Sequence, residues 1–112
     1  MIQGAERRVA MRVRVTLAVM YSINDGPLRT GMVENISHDG VLLVVDEMLV
    51  AGATLRLIFS DPRTSLRHEV VGEVVRSATV RSFGVSFVHV DDTLLDYMRH
   101  LPKVESETVA AQ

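Results

Sequence analysis

The chain of 112 residues contains no cysteine, which removes disulfide frameworks, thiolate metal sites and cysteine nucleophiles from consideration. Aromatic side chains make up only 4% of it, too few for the stacking platforms on which single-stranded nucleic acid is laid. The formal charge of −2 gives no general electrostatic grip on a polyanion, so nucleic acid is not an expected partner. Apolar runs are short, and no membrane insertion is expected. Met1 to Arg14 carries arginines but no unbroken apolar stretch and no small-residue cleavage site, so it does not read as a signal peptide and the expected location is cytoplasmic. Enzyme templates are missing too. His38, His68, His89 and His100 are scattered, without metal-ligand spacing, and read as surface or rim residues. No serine sits in a Gly-x-Ser-x-Gly elbow, and there is no Walker loop or dinucleotide fingerprint. With no acid–base pair or nucleophile constellation to name, the expectation is a protein that is not an enzyme, without catalytic residues, catalytic cofactor or metal site. Asn35-Ile36-Ser37 matches a glycosylation acceptor, a common tripeptide that carries no weight without a secretory signal.

What the chain has is alternation. Met11, Val13, Val15, Leu17, Val19 and Tyr21 occupy every second position with Arg12, Arg14 and Thr16 between them, the pattern of a half-buried strand. Asn24-Asp25-Gly26-Pro27 then reverses the chain, glycine tolerating positive φ and proline fixing its own. Further strands are predicted at Arg29 to Ile36, at Val41 to Val45 (short, β-branched and expected to be buried on both faces), at Leu55 to Ser60, at Glu69 to Arg76 with a bulge at Gly72, and at Phe83 to Phe87. Asp61-Pro62 ends the fourth. Six short strands of this kind imply a barrel or sandwich. The period changes only after Val90. Asp91 and Asp92 supply cap and first-turn acids, Leu94, Leu95, Met98 and Leu101 share a face, and Pro102 stops a short helix. The length suits one domain with its own core. The expected division is an N-terminal ligand-binding arm over 1–12, a barrel with its helix over 13–102 and a disordered tail over 103–112.

Two clusters carry chemistry. Arg7-Arg8-Val9-Ala10-Met11-Arg12 leads into the first strand, and guanidinium forks suit phosphate oxygens and the Hoogsteen edge of guanine, and stack on purines. Taken alone, the same residues read as a solvated basic arm. Asn35-Ile36-Ser37-His38-Asp39-Gly40 falls where the second strand turns into the third. Alone it reads as a turn, but period two also places Asn35 and Ser37 on one face, ready to bond base edges or phosphates, with Gly40 allowing a ligand close to the backbone.

Together the clusters resemble the PilZ family, whose motifs are Arg-x-x-x-Arg in an N-terminal arm and Asp/Asn-x-Ser-x-x-Gly on the barrel. Here these are Arg8 with Arg12, and Asn35, Ser37 and Gly40; Gly84-Val85-Ser86-Phe87 matches a late Gly-x-x-Phe strand and adds Gly84 as a lesser site candidate. The resemblance implies a six-stranded antiparallel β-barrel with a C-terminal helix. It also implies a bacterial receptor for the second messenger cyclic di-GMP, with the arm folding over the ligand while Asn35 and Ser37 hold a guanine. In family members an arginine just before the first motif arginine suits a stacked pair of ligands, so Arg7 implies two intercalated cyclic di-GMP molecules. The expected role is a stand-alone signalling adaptor, monomer or homodimer, acting on a downstream effector protein. The alternative is a PilZ-like protein-interaction module that does not bind nucleotide. Asn35 stands where the family more often has aspartate, and so lacks the full charge that best accepts guanine N–H donors.

Overall fold

Strands form where the alternation places them. A computed structural model describes residues 13–61 and 66–101; the expectations for residues 1–12 and 103–112 lie outside these. β1 (Val13–Ile23), β2 (Arg29–Ser37), β3 (Gly40–Val44), β4 (Thr54–Asp61), β5 (Leu66–Ser77) and β6 (Ser82–Phe87) pair antiparallel in the order β1-β2-β3-β6-β5-β4 and close into a barrel. Closure leaves no edge strand among them. Inward-facing residues fill the interior: Val19 and Tyr21 from β1, Val33 and Ile36 from β2, Leu43, Leu57, Phe59, Val74, Phe83 and Val85 from the others. Each such aliphatic or aromatic side chain contributes about 1.5–3 kcal/mol by leaving water.

Several local expectations are corrected. β3 is not buried on both faces. Val41 and Leu43 are buried, but Leu42 and Val44 are only half-buried, because a barrel has one interior and alternate residues of each strand face away from it. In the β1–β2 turn the left-handed conformation falls on Asn24 (φ 48°) and Asp25 (φ 65°), not on Gly26, whose N–H closes the turn on the Ile23 carbonyl at 2.8 Å. Asn and Asp tolerate that region, and their pairing gives the tight twist a hairpin needs. No bulge lies at Gly72. The β5–β6 register slips between Val74 and Arg76, while Gly72 lets two strands pack closely: a Cβ there would meet a Val85 methyl at 2.6 Å.

After β6, α1 (Asp92–Arg99) starts where the sequence predicts. The Asp91 carboxylate accepts the Leu94 N–H at 3.0 Å and the Thr93 hydroxyl at 2.8 Å, satisfying a donor that the first turn leaves open. The buried face of the helix is Leu94, Tyr97 and, just beyond it, Leu101, with Leu95 and Met98 half-buried beside them. Tyr97, absent from the predicted face, is its anchor. Its ring lies 5.8 Å from Phe59 and stacks on His68 at 4.8 Å, holding α1 against β4 and β5 of the barrel.

Candidate functional site

Asn35 owes its position to a bulge. Val33 points into the core, and strict alternation would turn Asn35 the same way. The β2–β3 register slips between them, from Val33↔Leu43 to Asn35↔Leu42, and parity reverses: Ile36 is buried and Asn35 stands on the outer wall. Ser37 follows on the same face and opens the turn to β3. It is 8% exposed, and its Oγ accepts the Asp39 N–H at 3.1 Å, so its own proton remains to be donated to a ligand.

Gly40 is placed beside them, but the structure gives it a task the sequence did not reveal. A Cβ at this position would stand 2.0 Å from the carbonyl oxygen of Val85. The room that the missing side chain leaves is taken by the backbone of β6.

At this end of the barrel the turn, the first residue of β1 and the helix enclose a cleft of about 370 Å³, lined by Val13, Ile36, Ser37, His38, Leu95, Met98 and Arg99. Arg7, Arg8 and Arg12 lie outside the described residues. The described chain begins at Val13, which lines the cleft.

Cross-strand pairing sets further residues level with Asn35. Arg14 pairs with Asn35, Asn35 with Leu42, Leu42 with Gly84, and Gly84 with Arg76, so one continuous row crosses β1, β2, β3, β6 and β5 on the outer wall. Gly84 thus shares a level with Asn35, although it lies far from it in sequence. Arg14 and Arg76 were not among the predicted site residues. Alternation alone could have found Arg14, which is two positions after Arg12. Arg76 has no such signal, because its place depends on register across three strand pairs.

The histidine expectation holds for His38, His89 and His100, which are exposed, but not for His68. Alternation on β5 turns His68 inward with Val70 and Val74. Its side chain is 11% exposed, and its buried Nε2 has no hydrogen bond and lies 3.8 Å from the Asp61 carboxylate. This group packs under α1. Burial, and then the Asp61 charge, push the Tyr97 hydroxyl up to about 12, so it stays protonated and donates a long bond of 3.4 Å to the Ser60 carbonyl.

Comparison with known proteins adds the following. The family model described as PilZ domain matches residues 6–101. No curated protein matches. Among solved structures, the PilZ domain of CeSA from a cellulose-synthesizing bacterium is similar at a TM-score of 0.59 and 16% identity, over 81% of this chain and 94% of that one. The Bacillus subtilis inhibitor of motility MotI/DgrA is similar at 0.63 and 20% identity, over 83% of this chain but 50% of that one. The PilZ domain of YcgR from Escherichia coli, a structure with c-di-GMP, is similar at 0.62 and 10% identity, over 83% and 86%. At these identities the likeness is one of fold.

Proposed function

The chain belongs to the PilZ domain family, and from that premise we propose that it is a regulatory receptor for cyclic di-GMP rather than an enzyme. The observation that carries the reading is the joint placement of Asn35 and Ser37 on one outer face, beside the cleft where the arginine-bearing N-terminal segment joins β1. An amide and a hydroxyl there meet the edge of a guanine, and the forks of Arg8 and Arg12 meet phosphate oxygens and the Hoogsteen edge. Arg7 supplies a further fork and stacking surface, which favours two intercalated ligand molecules. An arm bearing several like charges gains order when an anion neutralises it, so binding acts as a switch read by a downstream effector protein. The similarity to a PilZ domain solved with c-di-GMP supports the choice of ligand.

Titration calorimetry with cyclic di-GMP tests the proposal. Truncating a charged hydrogen-bond partner in a closed site costs about 2–5 kcal/mol, or roughly thirty-fold to several-thousand-fold in affinity. Arg8→Ala and Arg12→Ala are therefore expected to abolish binding at micromolar ligand, Asn35→Ala to weaken it, and Arg7→Leu to reduce the stoichiometry from two to one. Absence of heat with the natural chain would favour the protein-interaction module instead. A stoichiometry of one in the natural chain would remove the role given to Arg7.

A further inference from the structure

We propose that the outer wall across β4, β1, β2 and β3 is a self-association face through which two copies of this chain pair, each placing Met32 in the other's cleft between Leu28 and Ile58. The inference stands apart from the cyclic di-GMP reading, since it uses neither sequence motif.

The face follows from alternation and register. Val19, Tyr21, Val33, Leu43, Leu57 and Phe59 point into the core, so their neighbours Ala18, Met20, Met32, Val44 and Ile58 point out, half-buried or exposed. Pairing then sets these side by side: Ile58 opposite Met20, Ala18 opposite Met32, and Met32 opposite Val44. The result is one apolar band over four strands, about 14 Å of wall. Contiguous apolar surface on an outer wall marks a contact, where scattered residues would not.

The band also has a knob and a hole. At one end, where the β1–β2 turn reaches β4 and Asp25 meets Arg56 at 3.1 Å, a cleft of about 320 Å³ opens, with Leu28 and Ile58 as its apolar lining and Ser22 and Glu69 beside them. Leu28 is 51% exposed and Met32 37%, so both halves of the contact are accessible. Met32 stands opposite Ala18, and Ser22 at the cleft is four residues further along β1, a distance of about 14 Å. An unbranched thioether adapts to a slot of irregular shape.

A second copy fits this face because knob and hole lie on the same surface. A two-fold axis lying in the face and running across the strands exchanges its ends, and Met32 of each copy then meets the cleft of the other, the reciprocal contact of an isologous dimer. Charge agrees with the exchange. Glu34 follows Met32 on the side away from the cleft, is exposed and makes no ion pair among the described residues, whereas Arg56 stands at the cleft's rim. The same rotation brings Glu34 of one copy to Arg56 of the other. The band is small beside the roughly 800 Å² per partner of a standard interface, so the pair forms at high chain concentration and parts on dilution.

The test is sedimentation equilibrium without nucleotide, from micromolar to millimolar chain, on the natural protein and on Met32→Glu, Glu34→Arg, Arg56→Glu, the combined Glu34→Arg and Arg56→Glu exchange, and Val75→Glu, with melting curves to verify folding. Val75 is exposed on β5, which lies across the ring of strands from β2. The natural chain is expected to show a reversible monomer–dimer equilibrium. Met32→Glu and each single charge reversal should raise the dissociation constant about tenfold or more, the combined exchange should recover most of what Glu34→Arg loses, and Val75→Glu should match the natural chain. A natural chain that stays monomeric at millimolar concentration overturns the inference, as does undiminished pairing in Met32→Glu. Species that grow past the dimer, or a combined exchange that recovers nothing, overturn the reciprocal contact. A loss in Val75→Glu equal to that in Met32→Glu assigns the effect to net charge and overturns the face. Each of these outcomes leaves the proposed function standing.

Discussion

Three glycines in and beside the site differ in what surrounds them, and their replacement by alanine should differ accordingly. At Gly40 the added methyl meets carbonyl oxygen at 2.0 Å, and two hydrogen-bonded strands must separate to admit it. At Gly72 the nearest atom is a Val85 methyl at 2.6 Å, but Ser86 oxygen stands at 3.1 Å, leaving partial relief by side-chain movement. At Gly84 the nearest atoms are those of Arg76 and Val75 at 3.4–3.6 Å, ordinary contacts with exposed, adjustable side chains. Overpacking costs about 1–3 kcal/mol and more where backbone must move. Denaturant unfolding is thus expected to rank the variants, Gly40→Ala losing about 3 kcal/mol or failing to fold, Gly72→Ala losing less, and Gly84→Ala close to the natural chain. Equal stability of Gly40→Ala and Gly84→Ala would contradict the register described for β3 and β6. The motif glycine Gly40 is here a demand of the barrel, since the β6 backbone occupies the space a side chain would need.

The element that reports on its own attachment is α1. Its cap holds the Asp91 carboxyl below the ordinary value of 3.8, first through the Leu94 N–H and then through the Thr93 hydroxyl. A depressed carboxyl stabilises the folded state above the unfolded value and loses that contribution as pH falls below it. The melting temperature of the natural chain should exceed that of Asp91→Ala at neutral pH, and the gap should close as pH drops below about 4. At the other end of the scale Tyr97 has the opposite sign. With its hydroxyl raised from 10.0 to about 12, its contribution is complete below pH 10 and declines as pH climbs from 10 to 12. Melting of Tyr97→Phe across that window is expected to show a shallower alkaline decline; an identical decline would mean that α1 is not held through this ring and its hydroxyl. Burial also raises Tyr21, whose hydroxyl donates to Glu47, so part of the alkaline decline should remain.

For the whole molecule, closure of the sheet leaves the outer wall as the surface on which strands can present a ligand site. The proposed ligand would sit against Asn35 and Ser37 of β2, beside the cleft lined by Val13 at the start of β1, and so be coupled to the folding of the barrel. A ligand that binds only the folded state at a hundred times its Kd adds about 2.7 kcal/mol, which for a domain of this size raises the melting temperature on the order of 10 °C. Cyclic di-GMP should produce that shift and GTP at equal concentration should not. The shift should also shrink as ionic strength rises, because arginines on an exposed arm are screened. A shift independent of salt would point away from the arginine forks as the source of affinity.

Strand positions, the β1–β2 turn and the start of α1 were legible in the residues because each is a local matter: period two, turn formers and a capping aspartate act within a few positions of themselves. The motif residues Asn35, Ser37 and Gly40 were legible by resemblance, and the structure sets Asn35 and Ser37 together on the wall. The three register shifts, in the β1–β2, β2–β3 and β5–β6 pairings, were not legible, since an extra residue becomes visible only against the strand it fails to match, and a bulge at Gly72 was expected in place of the one before Arg76. The inward turn of His68, the β6 backbone filling the space at Gly40 and the row from Arg14 to Arg76 likewise depend on which strands lie side by side. Alternation written in the sequence determines that these segments are strands and which side of each is apolar; only the closed barrel, by fixing register between segments distant in the chain, decided which polar side chains meet on its wall.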